Sequence, residues 1–76
     1  SQATEAQEET ITIDGVKYSI DSITEAGIKY INDVKAIDKI IVENIVEKKF
    51  DIGLYEKARE EIFKQLKDEA VNFSEI

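Results

Sequence analysis

The sequence predicts a mainly helical α+β fold, a short β-hairpin followed by two helices, and three observations lead there. An alternating stretch from Thr10 to Ile20 is centred on Asp14-Gly15. Apolar residues then recur at helical spacing from Ile28 to Phe50, and again from Tyr55 to Phe73. Between these two stripes, Asp51 and Gly53 interrupt the pattern. With 76 residues, the chain has room for one small domain. A composition that is 42% hydrophobic and 36% charged is that of a globular chain rather than a disordered one.

Residues 1–9, SQATEAQEE, hold no large apolar side chain and carry Glu5, Glu8 and Glu9. Such a segment buries too little surface to offset its ordering entropy, so a flexible acidic tail is expected there. Residues 10–20 are expected to form the hairpin. Asp14-Gly15 suits a type I′ turn, in which both central residues take positive φ. A two-residue turn fixes the register, setting Ile13 opposite Val16, Thr12 opposite Lys17, Ile11 opposite Tyr18 and Thr10 opposite Ser19. Ile11, Ile13, Val16 and Tyr18 then share one face, and Thr10, Thr12, Lys17 and Ser19 the other.

A two-stranded hairpin is marginal alone, so its apolar face needs a cover. A first helix is expected over residues 23–50. Ser22 and Thr24 are candidate N-caps, and Ser22 with Glu25 fits a capping box. Tyr30, Ile31, Val34, Ile37, Ile41 and Ile45 fall on one face, and Ile28, Val42, Val46 and Phe50 widen it beyond the stripe of an ordinary surface helix. So wide an arc calls for two neighbours. A second helix is expected over residues 54–73, with a stripe through Tyr55, Ala58, Ile62, Phe63, Leu66, Ala70 and Phe73. Asp51 is a plausible N-cap and Gly53 costs about 1 kcal/mol inside a helix, which favours a break near Asp51–Gly53. The two helices would form an antiparallel pair or part of an oligomeric bundle. The rival is one helix from about Thr24 to Phe73, a rod of about 75 Å that would have to oligomerise to hide its stripe.

The composition narrows the function. Without Cys there is no disulfide and no thiolate, and without His there is no imidazole for a triad, a proton relay or a metal. The three glycines, at 15, 27 and 53, are too far apart to cradle a phosphate, and Asp14-Gly15 lacks the alternating acidic ligands of a calcium loop. Carboxylate neighbours such as Glu43/Glu47 and Glu56/Glu60 fit a solvated helix face better than an active site. No catalytic residue, cofactor or metal site is therefore expected. A net charge of −7, with no segment in basic excess, argues against nucleic acid as a partner. No stretch reaches the ~20 apolar residues that span a bilayer, and no charged-then-apolar leader opens the sequence, so no membrane partner and a cytoplasmic location are expected.

Asp38 breaks the first stripe and Arg59 the second. Asp38 reads either as a register-fixing residue in a helix–helix seam or as an edge residue paired with Lys35 or Lys39, and pairing with Arg59 across the helices is a further alternative.

The run Thr10-Ile11-Thr12-Ile13-Asp14-Gly15, followed by Tyr18, resembles the opening of a family of small proteins from cyanobacteria, other marine bacteria and their tailed phages. Members look like a TITIDG-x-x-Y hairpin, a capped Ser/Thr helix start and then helix. Thr24 matches that helix start, Ile37-Asp38 looks like the family's apolar–Asp pair, and Ala58-Arg59 resembles a later Ala-Arg step. The resemblance spans about Thr10 to Leu66, and Gly27 and Gly53 depart from the family's helical run. It implies a phage context, with a virion location as the alternative to the cytoplasm, and no activity.

The expected function is non-enzymatic: a small interaction or assembly protein, a homo-oligomer or the partner of another protein, working through apolar helix faces. Its candidate interface is Ile31, Val34, Asp38, Ile41, Ile45, Tyr55, Ile62 and Leu66. Two alternatives are a phage virion accessory protein docking on a capsid or tail, and an acidic inhibitor that occupies a cationic site of its partner.

Overall fold

A computed structural model describes residues 9–47 and 51–76. The chain runs from strand β1 (Thr10–Ile13) through strand β2 (Val16–Ser19) to helices α1 (Glu25–Glu47) and α2 (Ile52–Glu69). A single 3₁₀ turn, Ile20–Ser22, joins β2 to α1, and a second, Ala70–Asn72, extends α2. The tail expected over residues 1–8 lies outside the described residues, as does the expected end of the first helix at 48–50.

The hairpin has the register that its turn dictates, from Thr10 opposite Ser19 to Ile13 opposite Val16. Asp14 (φ 52°) and Gly15 (φ 82°) both take the left-handed conformation of a type I′ turn. The paired strands end at Thr10 and Ser19, one residue short of the expected boundary at Ile20, which begins the 3₁₀ turn. One further main-chain bond lies beyond them, from Ile20 N–H to the Glu9 carbonyl at 3.0 Å. A C-terminal pairing is also present that no alternation announced. Tyr18 bridges Glu75, Ser19 N–H donates to the Ser74 carbonyl at 2.9 Å, and Ile76 N–H donates to the Lys17 carbonyl at 2.8 Å. This segment runs along the outer edge of β2. Ser19, expected on the outward face, is buried as a result.

Thr24, and not Ser22, caps α1. Its Oγ1 accepts from Gly27 N–H at 3.1 Å, the N-cap to N3 bond that relieves one orphan donor. The capping box through Ser22 does not form. Ser22 lies in the 3₁₀ turn, its hydroxyl donating to the Ser19 carbonyl at 2.7 Å and accepting from Ser74 N–H at 2.8 Å.

The helices are separate, which excludes the long rod. Asp51 starts α2, accepting from Gly53 N–H at 2.9 Å. Gly53 thus sits in the first turn of α2, not in a break before it. Asp51→Ala should lower stability by about 1 kcal/mol, read as a shift in the urea midpoint at constant slope. An unchanged midpoint would mean that the cap is idle.

The helices run antiparallel. Thr24 Oγ1 donates to Glu69 Oε2 at 2.7 Å, tying the start of α1 to the end of α2, while Asp38 meets Arg59 further along. The core lies at the hairpin end. Ile13, Leu66, Ala70 and Phe73 are its buried residues, with Ile11, Tyr18, Ile23, Tyr30, Ile31 and Phe63 packed against them. The Phe73 ring meets Tyr18 edge-on at 5.6 Å between centroids. Its tip lies over Gly27, so close that a Cβ there would fall 2.8 Å from Phe73 Cε1.

Candidate functional site

Length decides which part of the helical pair the hairpin covers. The 23 residues of α1 extend about 34 Å at ~1.5 Å per residue. Strands of four residues reach only about 14 Å. The sheet therefore covers the start of α1 and the end of α2, and the opposite end of the helical pair has no sheet over it.

Exposed apolar side chains lie at both ends: Ile20, Ile28, Val71 and Ile76 at the hairpin end, and three others at the opposite end. Val42 and Ile45 near the end of α1 are 61% and 56% exposed, and Leu54 in the first turn of α2 is 70% exposed. Antiparallel pairing brings Leu54 to the same end of the molecule as Val42 and Ile45. Ile41, half-buried, faces a broad open depression that runs along α2 from Gly53 to Lys67 and is lined mostly by charged side chains, among them Asp38, Glu60 and Arg59.

The expected interface residues divide along the same line. Leu66 is 2% exposed and Val34 is also buried, so both lie within the protomer and have almost no surface to offer. Ile31 is half-buried against the core. Ile41, Tyr55 and Ile62 are half-buried, and Ile45 is open. Leu54 was not among the expected residues. It falls off the stripe of its own helix, and only the fold places it beside the end of α1.

Asp38 pairs across the helices with Arg59, and not with Lys35 or Lys39. Arg59 Nε donates to Asp38 Oδ1 at 2.5 Å and Nη2 to Oδ2 at 3.4 Å, a two-pronged pair between the helices. Both side chains remain partly exposed, so the pair aligns the helices more than it stabilises them. The Arg59 guanidinium also lies 5.3 Å from the centre of the Phe63 ring, and Lys67 Nζ lies 5.4 Å from it. Lys67 in turn faces Asp14 of the hairpin turn at 3.7 Å. The row Asp38, Arg59, Phe63, Lys67 and Asp14 links α1, α2 and the turn.

Asn44 is the polar residue that sequence reading missed as buried. It is 5% exposed, and its Nδ2 has no hydrogen-bond acceptor among the described residues. Among the described residues, no helix is long and apolar enough to cross a membrane, and no cluster of three or more acidic side chains has the geometry to hold a metal ion. No family model, curated protein or solved structure matches this chain.

Proposed function

We infer that this chain is a small interaction and assembly protein, non-enzymatic, that self-associates through the apolar end of its helical pair. The observation that supports the reading is the exposure of Val42, Ile45 and Leu54 together at the end the hairpin does not reach. Fully burying an aliphatic side chain of this size contributes about 1.5–3 kcal/mol relative to leaving it in water. Three such residues on each of two copies provide a gross gain comparable to the cost of association, which is about 4–15 kcal/mol. A domain this small also buries only about 60% of its unfolded surface and gains much from a second copy.

Sedimentation equilibrium tests the reading. The wild-type chain should show concentration-dependent mass in the micromolar to submillimolar range. Val42→Glu and Ile45→Glu should lower that mass. Both positions are exposed in the single chain, so each variant should keep its helical circular dichroism and, at high dilution, its melting temperature. A wild-type chain that stays a folded monomer at submillimolar concentration would overturn the proposal.

A further inference from the structure

The sheet has two edges, and the chain treats them differently. The bond from Ile20 N–H to the Glu9 carbonyl fixes the alternation of the hairpin ladder. Glu9, Ile11 and Ile13 direct their main-chain groups toward β2, and Thr10 and Thr12 direct theirs to the other side. On β2 the outward groups of Lys17 and Ser19 are taken up by Ser74 and Ile76. On β1 the outward N–H and C=O of Thr10 and Thr12 have no backbone partner among the described residues.

This open edge lacks the usual protection. Thr10–Ile13 contains no charge, no Pro and no bulge, whereas Lys17 lies on the edge that is already covered. All four residues are β-branched, which suits them to a further strand. Beside the edge runs a groove of about 320 Å³ whose lining includes Ile11, Ile13, Ile31 and Phe63 together with the charged Lys35 and Arg59.

We propose that β1 pairs edge to edge with β1 of a second copy, antiparallel, about a two-fold axis through Ile11. The strand is self-complementary in that register. Thr10 of each copy lies opposite Thr12 of the other, and each such pair exchanges N–H···O=C bonds in both directions. The threonine side chains then form cross-strand pairs on the outer face. Ile11 meets its own counterpart in the close, non-hydrogen-bonded pair on the apolar face, next to the groove. An axis at Glu9 would set two carboxylates face to face, and an axis at Ile13 would require pairing by the turn residue Asp14. The axis at Ile11 sets Glu9 of each copy opposite Ile13 of the other, an apolar residue rather than a second carboxylate. Since each copy carries −7 overall, added salt should promote this association by screening the repulsion. The surface lies at the other end of the molecule from Val42, Ile45 and Leu54 and does not depend on them.

The test is amide hydrogen exchange by NMR together with sedimentation, on the full chain across micromolar to submillimolar concentration. In the wild type, exchange at Thr10 and Thr12 should slow by about tenfold or more as concentration rises. Thr12→Pro removes the outward N–H but no bond of the ladder to β2, and Pro is tolerated at such an edge. It should abolish the slowing at Thr10 and reduce the sedimenting mass. Thr12→Lys, which keeps the strand backbone, is the second variant and should do the same. Slowing that persists in Val42→Glu, at the other surface, would support the edge pairing independently. Exchange at Thr10 and Thr12 that is fast at every concentration, or slow independently of concentration, would overturn it. So would wild-type association in both Thr12 variants, and association lost only in Val42→Glu would leave the helix-end surface standing by itself.

Discussion

Leu66→Ala should remove most of the stability of this domain, lowering the unfolding free energy by about 2–5 kcal/mol. Leu66 is the most deeply buried side chain of the core and lies among Ile13, Ala70 and Phe73 from both the sheet and the end of α2. Truncation there leaves a cavity whose lining comes from three elements, and these cannot all close on it at once. A single core in a chain of this size supplies only about 3–5 kcal/mol in total, so much of the population should be unfolded at room temperature. Leu54→Ala is the internal control. It deletes the same atoms from an exposed position and, at a dilution where the chain is monomeric, should change stability by no more than about 0.5 kcal/mol. Urea unfolding followed by circular dichroism reads both. A loss below about 1 kcal/mol for Leu66→Ala would mean that the core is not organised around it.

Gly27→Ala should destabilise the protein although it improves helix propensity. In an exposed helix the change would gain up to about 1 kcal/mol. Here the new Cβ would lie 2.8 Å from Phe73 Cε1 and 2.9 Å from Ile23 Cγ2. The Phe73 ring has little freedom to retreat, since it is buried and held edge-on by Tyr18. Overpacking of this kind costs about 1–3 kcal/mol, so the net change is a loss. Phe73→Leu, which shortens the opposing side chain, should relieve the alanine. The double variant is then more stable than the sum of the two single effects implies. A thermal midpoint that rises in Gly27→Ala would show that the ring does not sit where the structure places it.

These two positions differ in how far they could be read from the sequence. Leu66 lies on a regular apolar stripe, and the stripe shows without any knowledge of the fold. Gly27 shows in the sequence only as a departure from a helical run, and its reason, the tip of Phe73, comes from the far end of the chain. The hairpin was fully legible because its information is local: Asp14-Gly15 sets the turn, and alternation sets the faces. Asp51 was legible as a cap for the same reason. The pairing of Ser74–Ile76 with β2 was not, because it uses main-chain groups and NFSEI carries no strand alternation. Asp38 offered three partners by spacing alone, and only the packing of α2 against α1 selected Arg59. The candidate surface was half legible. The wide apolar arc of α1 announced that something must cover it, but four-residue strands covering only one end had to be placed before the exposed remainder could be identified.

The return of the C-terminal segment to β2 also bears on the order in which the molecule assembles and on how long it then lasts. The two helices are near neighbours along the chain, so their docking closes a short loop and is expected early. Tyr18 and Glu75 lie almost the whole described chain apart. They can align only after α2 is docked and Phe73 is seated between Gly27 and Tyr18. Contacts formed that late lie on the native side of the folding barrier, where weakening them speeds unfolding and leaves the folding rate nearly unchanged. The few main-chain bonds of Ser74–Ile76 are thus expected to act as a latch that sets the lifetime of the folded state rather than the speed of reaching it.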